Sequence, residues 1–201
     1  NMRYSACSYD WFRAEQGWPE RSEAFVTVAS RLFGVVSGRA LEQAGLAADE
    51  IDTIVMISST GIATPTIEAR VMSELGFRDD VARVPVFGLG CAGGIAGLSL
   101  AARLAVAQPD SNVLVVVIEL CSLTFRRDEM TKSNIIATAL FGDGAAAAIV
   151  STKGKNSHGE IEFTGEHTWP DTVDVMGWRM DNFGFSAIFS RSIPDLALRD
   201  L

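Results

Sequence analysis

Cys91 lies inside Phe87-Gly88-Leu89-Gly90-Cys91-Ala92-Gly93-Gly94, between the apolar run Val81 to Phe87 and the helix-like run Ile95 to Ala107. A strand that feeds a helix through glycines puts the cysteine at a helix N-terminus, where unpaired N–H groups and the positive end of the dipole favour an anion. A cysteine in such a place can become a nucleophilic thiolate. The glycines let backbone and substrate come close, and the Cys91 N–H would stabilise the oxyanion formed on a thioester carbonyl. Two other readings stay open at this level. Free cysteines are among the most buried residues, which makes Cys91 a packing residue. Alternatively, Gly88-x-Gly90-x-x-Gly93 spells a dinucleotide fingerprint, with Glu119 at the end of the next apolar run, although the motif follows a full strand and two helices and Glu119 lies beyond the usual spacing of about 20 residues.

The elements that must hold such a site follow from periodicity. From Ser22, the residues Phe25, Val28, Ala29, Leu32, Phe33 and Val36 form one apolar face at period 3.6, resumed at Leu41 and Ala44 and closed by Gly45. Ile54-Val55-Met56-Ile57 reads as a strand covered on both faces, and Ser58-Ser59-Thr60-Gly61 as a polar loop at its C-terminal end, where ligands of open α/β sheets sit. Ser59 and Thr60 also fit ordinary turn and capping chemistry. Thr64 as N-cap and Pro65 at N1 predict a helix running to Leu75-Gly76. The helix after Cys91 has little charge apart from Arg103 and is expected to be buried on most sides.

Val113 to Ile118 is the strongest strand signal, and Cys121, Leu123, Thr124 and Phe125 follow at its C-terminal end. A short helix over Ser133 to Ala139 leads to Phe141-Gly142-Asp143-Gly144 and a small-residue strand, Ala145 to Val150, whose alanines imply close packing on that face. Lys153 to Gly159 reads as a hairpin tip, and Ser190 to Pro194 as a strand ending in a turn. Residues 1 to 19 read as a packed irregular lead-in. The alternation of helices and apolar strands predicts a layered α/β fold.

Composition sets the outer limits. The 201 residues, 48% hydrophobic, suffice for one real core. Seventeen basic against 25 acidic side chains give a net charge of −8, which argues against nucleic acid or an anionic membrane as main partner. No basic-then-apolar leader opens the chain and no apolar run of membrane-span length stands out, so a soluble, cytoplasmic protein is expected. Three cysteines without CxxC spacing and only two histidines, His158 and His167, predict neither a disulfide framework nor a metal site.

Three separated blocks then resemble one family. Gly88 to Gly94, Ala139-Leu140-Phe141-Gly142-Asp143-Gly144-Ala145-Ala146, and Pro170-Asp171-Thr172-x-Asp174-Val175-Met176-Gly177-Trp178, with Ser190-Arg191-Ser192-Ile193-Pro194 behind them, resemble the type III polyketide synthases, the chalcone synthase-like branch of the thiolase superfamily. The likeness runs from Arg3-Tyr4 over nearly the whole chain, and the wording is most like bacterial alkylresorcinol- or alkylpyrone-forming members. It displaces the dinucleotide reading. It implies a thiolase-like layered fold (αβαβα), mostly its first half, with a mixed sheet around a buried nucleophile helix. Residues 1–201 would then be the N-terminal domain of such a synthase, incomplete at both ends.

By the same resemblance, Cys91 takes an acyl group from a CoA thioester and malonyl-CoA is decarboxylated to extend it, with acyl-CoA and malonyl-CoA as substrates and no cofactor. Phe141 corresponds to the gatekeeper between CoA tunnel and cavity, and Ser59, Thr60, Cys121 and Thr124 correspond to cavity positions. Thr64 falls where the family's homodimer sends a side chain into the partner's cavity. The family's catalytic histidine and asparagine come from a later part of its chain, and its basic CoA contacts precede Arg3-Tyr4. Neither His158 nor His167 stands in a matching context, so this chain alone is expected to be inactive. A ketoacyl synthase III-like condensing enzyme, or a non-catalytic half-domain that binds acyl-CoA, are the alternatives.

Overall fold

The structure, a computed structural model, describes residues 4–153 and 158–200. At its centre is strand β1, Thr53–Ser58, buried along its whole length. Successive side chains of a strand point to opposite faces, so a run as apolar as Ile54-Val55-Met56-Ile57 needs cover on both. Ile54 and Met56 join the cluster of Phe25, Ala29 and Phe33, while Val55 and Ile57 join that of Ala101 and Ala105. β1 pairs in parallel with β2, Ala82–Phe87, and with β3, Asn112–Leu120. β4, Asp143–Ser151, completes the order β2-β1-β3-β4 and runs antiparallel to β3, so the sheet is mixed as expected.

Helices cover the two faces. α1, Tyr9–Arg13, gives the lead-in one ordered turn capped by Ser8. α2, Trp18–Ala44, begins where the Glu20 carboxylate accepts the Gly17 N–H and ends at Gly45, whose φ of +67° is the left-handed conformation a C-cap needs. It starts four residues before the expected Ser22 and lies over Ala145, Ala147 and Ile149, the close packing that the alanines of β4 imply. On the opposite face α4, Gly93–Ala107, lies against β1 and β3. A Cβ on Gly93 or Gly97 would stand 2.8 or 2.6 Å from Ile57, so these glycines permit the approach.

Four expectations need correction. The helix predicted from Thr64 is α3, Ile67–Val71, because Thr66 is still extended (φ −64°, ψ 164°) and becomes the N-cap; turns then lead to Gly76. Arg70 binds the carbonyl oxygens of Thr64 and Pro65 and holds that entry, in which the Thr64-Pro65 peptide is cis. Helix α4 is not buried on most sides: the sheet covers one face, and Ile95 and Val106 are 73% and 70% exposed.

After α5, Lys132–Leu140, the tail folds as a hairpin of β5, Met176–Asp181, and β6, Gly184–Phe189, followed by α6, Ile193–Asp200. Ser190 to Pro194 is therefore a turn entering a helix, with Pro194 in the first turn where its missing N–H costs nothing. Among the described residues, two helical segments, Trp18–Ala44 and Gly90–Ala107, reach the length and apolar composition of a membrane span, contrary to the sequence reading. Both pack on the sheet, which asks for the same apolar composition. Arg3 and most of the expected tip at Lys153 to Gly159 lie outside the described residues.

Candidate active site

The parallel register sets Ile57 beside Val117, so two residues further on the chain ends of β1 and β3 bring Ser59 to Glu119. The Ser59 N–H donates to both carboxylate oxygens of Glu119, at 2.9 and 3.1 Å, and the Thr60 hydroxyl donates to Oε2 at 2.8 Å. Thr60 Oγ1 in turn accepts the Leu120 N–H at 2.8 Å. Ser59 Oγ accepts the Gly90 N–H at 2.9 Å, which ties this network to the turn carrying Cys91. Burial raises the Glu119 carboxyl above its ordinary range, opposed by the hydrogen bonds from Thr60 and Ser59.

Cys91 stands in a single 3-10 turn, Gly90–Ala92, at the head of α4, and is exposed. Gly88 and Gly90 supply the positive φ angles, +92° and +54°, that bend β2 into this turn. The glycine spacing thus has a complete account in backbone geometry, and Glu119 is committed to Ser59 and Thr60. The Ala92 N–H donates to Leu89 O at 3.2 Å.

Phe141, Thr124 and Cys121 come together elsewhere, around a cavity of about 490 Å³ whose other wall is Tyr4, Tyr9 and Phe12 of the lead-in. Phe141 caps the C-terminus of α5 and meets Trp178 and Phe189 of the hairpin edge to face, with ring centroids 6.2 and 6.1 Å apart. Thr124 is buried and donates to Cys121 O at 2.8 Å. The Cys121 thiol is pushed up to about 12, mainly by burial, then by Glu119, Asp143 and the neighbouring Cys91. Cys7 is also raised, by burial and by Asp143.

Ser59 and Thr60, nearly fully buried, do not line this cavity; their side chains serve the network under Cys91. Thr64 is exposed on the loop before α3. His158 and His167 are exposed, and His167 packs against the Trp169 ring. No cluster of His, Cys, Asp or Glu among the described residues could hold a metal ion.

Sequence reasoning missed Asp143, which accepts the N–H and Oγ–H of Ser122 at 2.7 and 2.6 Å together with the Ala6 N–H at 2.5 Å, fixing both walls of the cavity. The charged run Arg126 to Lys132 reads from sequence as exposed, but Arg126 is buried between Asp128 and Asp181 at 2.5 and 2.8 Å and fastens the hairpin to the core. An aspartate between two glycines was the available signal for the first. Nothing in the local pattern marked the second.

The family model described as "Chalcone and stilbene synthases, N-terminal domain" matches residues 15–154. A 1,3,6,8-tetrahydroxynaphthalene synthase of Streptomyces peucetius subsp. caesius is 38% identical over 198 residues, covering 96% of this chain and 52% of that protein. A putative chalcone synthase of Bacillus subtilis (strain 168) is 37% identical over 199 residues, covering 93% and 54%. The crystal structure of 1,3,6,8-tetrahydroxynaphthalene synthase from Streptomyces coelicolor A3(2), a bacterial type III polyketide synthase, superposes with a TM-score of 0.92 at 29% identity, over 99% of this chain and 59% of that one. CsyB complexed with CoA-SH superposes at 0.84 and 25% identity, over 99% and 58%. The chain spans about half the length of the curated relatives it matches.

Proposed function

This chain belongs to the chalcone and stilbene synthase family, and from that premise we propose that it is the cysteine-bearing, N-terminal half of a type III polyketide synthase. In this reading Cys91 is the acyl acceptor. Its sulfur attacks the carbonyl of an acyl-CoA, the C–S bond to CoA breaks, and the CoA thiol leaves with the proton that Cys91 gave up. Malonyl-CoA then loses carbon dioxide, and the carbanion so formed attacks the Cys91 thioester, which makes the new C–C bond and returns the cysteine. The N–H groups on either side of Cys91 are committed to Ser59 Oγ and Leu89 O, which singles out the Cys91 N–H as the oxyanion donor in this turn.

The observation that carries the reading is the contrast between the thiols. Cys91 is exposed on a glycine turn at a helix head, whereas Cys121 and Cys7 are partly buried with raised pKa values. Phe141, with Thr124 and Cys121, shapes the space the chain grows into, and Thr64 reaches a second copy in a homodimer. The relatives are about twice as long, and in this reading the histidine and asparagine that the decarboxylation needs come from a later part of the full-length protein, which would also cover the exposed face of α4. No cofactor enters this scheme.

Incubating the full-length protein with a long-chain acyl-CoA and mapping peptides by mass should place the acyl group on Cys91 and on neither Cys7 nor Cys121. Label on another cysteine with Cys91 bare would overturn the assignment. Condensation with a malonyl group carried on an acyl carrier protein but not with malonyl-CoA would favour the ketoacyl synthase III-like reading instead.

A further inference from the structure

Ser59 is buried, and its hydroxyl oxygen accepts the N–H of Gly90, the residue just before Cys91. Gly90 has a φ of +54° and Gly88 one of +92°, so this turn has a backbone conformation that its local sequence does not hold by itself. Ser59 cannot drift, because its own N–H is gripped by both oxygens of Glu119. Glu119 is gripped in turn by the Thr60 hydroxyl, and Thr60 by the Leu120 N–H. The chain of bonds therefore runs from the ends of two central parallel strands to the turn that presents the thiol.

We infer that Ser59 is a positioning residue for the nucleophile, a clasp that fixes the Cys91 thiol and its backbone N–H relative to each other, with Glu119 as its anchor. Its hydroxyl does not touch the reacting atoms. It acts through Gly90, so its loss should change how fast Cys91 reacts more than how tightly acyl-CoA binds. Glu119 faces Ser59 and Thr60, and the Cys121 thiol lies close enough to be raised by its charge. The inference rests on Cys91 being the acyl acceptor.

The test compares full-length wild type, Ser59→Ala and Ser59→Thr in three measurements: the rate of Cys91 acylation by a long-chain acyl-CoA, the rate of Cys91 alkylation by iodoacetamide, and Tm. Removing the hydroxyl should slow acylation about 10- to 100-fold, the scale of a misplaced reacting group. Half-saturation by acyl-CoA should stay within about twofold, and Ser59→Thr, which keeps the acceptor, should recover most of the rate. An unchanged rate in Ser59→Ala, or equal slowing in both variants, would overturn the clasp. If Ser59→Ala does not fold, Glu119→Gln weakens the anchor with the Ser59 hydroxyl in place; it should slow acylation at least about threefold, and no slowing would overturn the clasp. If wild-type Cys91 takes no acyl label, the proposed reaction falls, and iodoacetamide then decides the clasp: a rate differing between wild type and Ser59→Ala by more than about threefold sustains it, and equal rates overturn it.

Discussion

Three thiols compete for any electrophile that reaches this protein, and burial separates them. A thiol whose pKa is about 12, as at Cys121, holds roughly one thiolate in 10⁴ molecules at pH 8. Since the thiolate is the reactive form, Cys121 is expected to react slowly although it lines the cavity. Limited iodoacetamide treatment at pH 8 should therefore modify Cys91 first, with Cys121 labelled at least about 100-fold more slowly, as peptide mapping over time would report. Comparable labelling of Cys121 would mean that its surroundings are far more polar than the packing around it allows. Ser59 and Thr60 teach a related lesson. Their residue types suit a substrate pocket, yet each side chain spends its hydrogen bonds inside the fold.

Among the elements, the loop from β1 to α3 works under a tight steric limit. A Cβ on Gly61 would stand 2.1 to 2.5 Å from atoms of the Phe25 ring, and Phe25 is itself part of the core beneath α2. Aromatic rings do not bend out of the way, so either α2 or the loop that carries Ser59 and Thr60 must shift. Gly61→Ala should cost about 1–3 kcal/mol in overpacking, read as a lower denaturant midpoint at unchanged m. Stability equal to wild type would show that the loop has room to move. Gly93 and Gly97 of α4 follow the same logic against Ile57, which gives Gly93 a packing reason independent of any nucleotide.

At the scale of the whole molecule, the β5–β6 hairpin is docked by charge as well as by aromatic rings. The Arg126 guanidinium, buried, holds the carboxyls of Asp128 and Asp181 below the ordinary aspartate range through direct hydrogen bonds. A carboxyl with a depressed pKa in the folded state adds stability that is present above its unfolded value, about 3.9, and is lost as the pH falls through the folded one. Both carboxylates are more than a third exposed, so solvent screening keeps the effect modest. Titration from about pH 5 down to about pH 2 should change the fluorescence of Trp18, whose indole N–H donates to Asp181 O, and of Trp178 before the far-ultraviolet signal of α2 changes. Simultaneous loss of both signals would place the hairpin in the same cooperative unit as the sheet.

Local patterns settled the parts of the fold that depend on local physics. The 3.6 period made α2 readable, continuous β-branched runs made β1 and β3 readable, and the glycine block marked the turn that carries Cys91, the proposed nucleophile. The hairpin and α6 escaped because their strands alternate weakly and their partners are aromatic residues and an arginine far away in the chain. What only the tertiary structure decided was which polar residues meet. Ser59 and Glu119 are 60 positions apart in sequence, and only the parallel register of β1 on β3 places them in contact. Tyr4, Tyr9 and Phe12 reach the cavity wall because Asp143, folded into β4, captures the N–H of Ala6. Periodicity is a property of neighbours along the chain, whereas a hydrogen-bond partner across a sheet is set by register and layer order, which no window of residues contains.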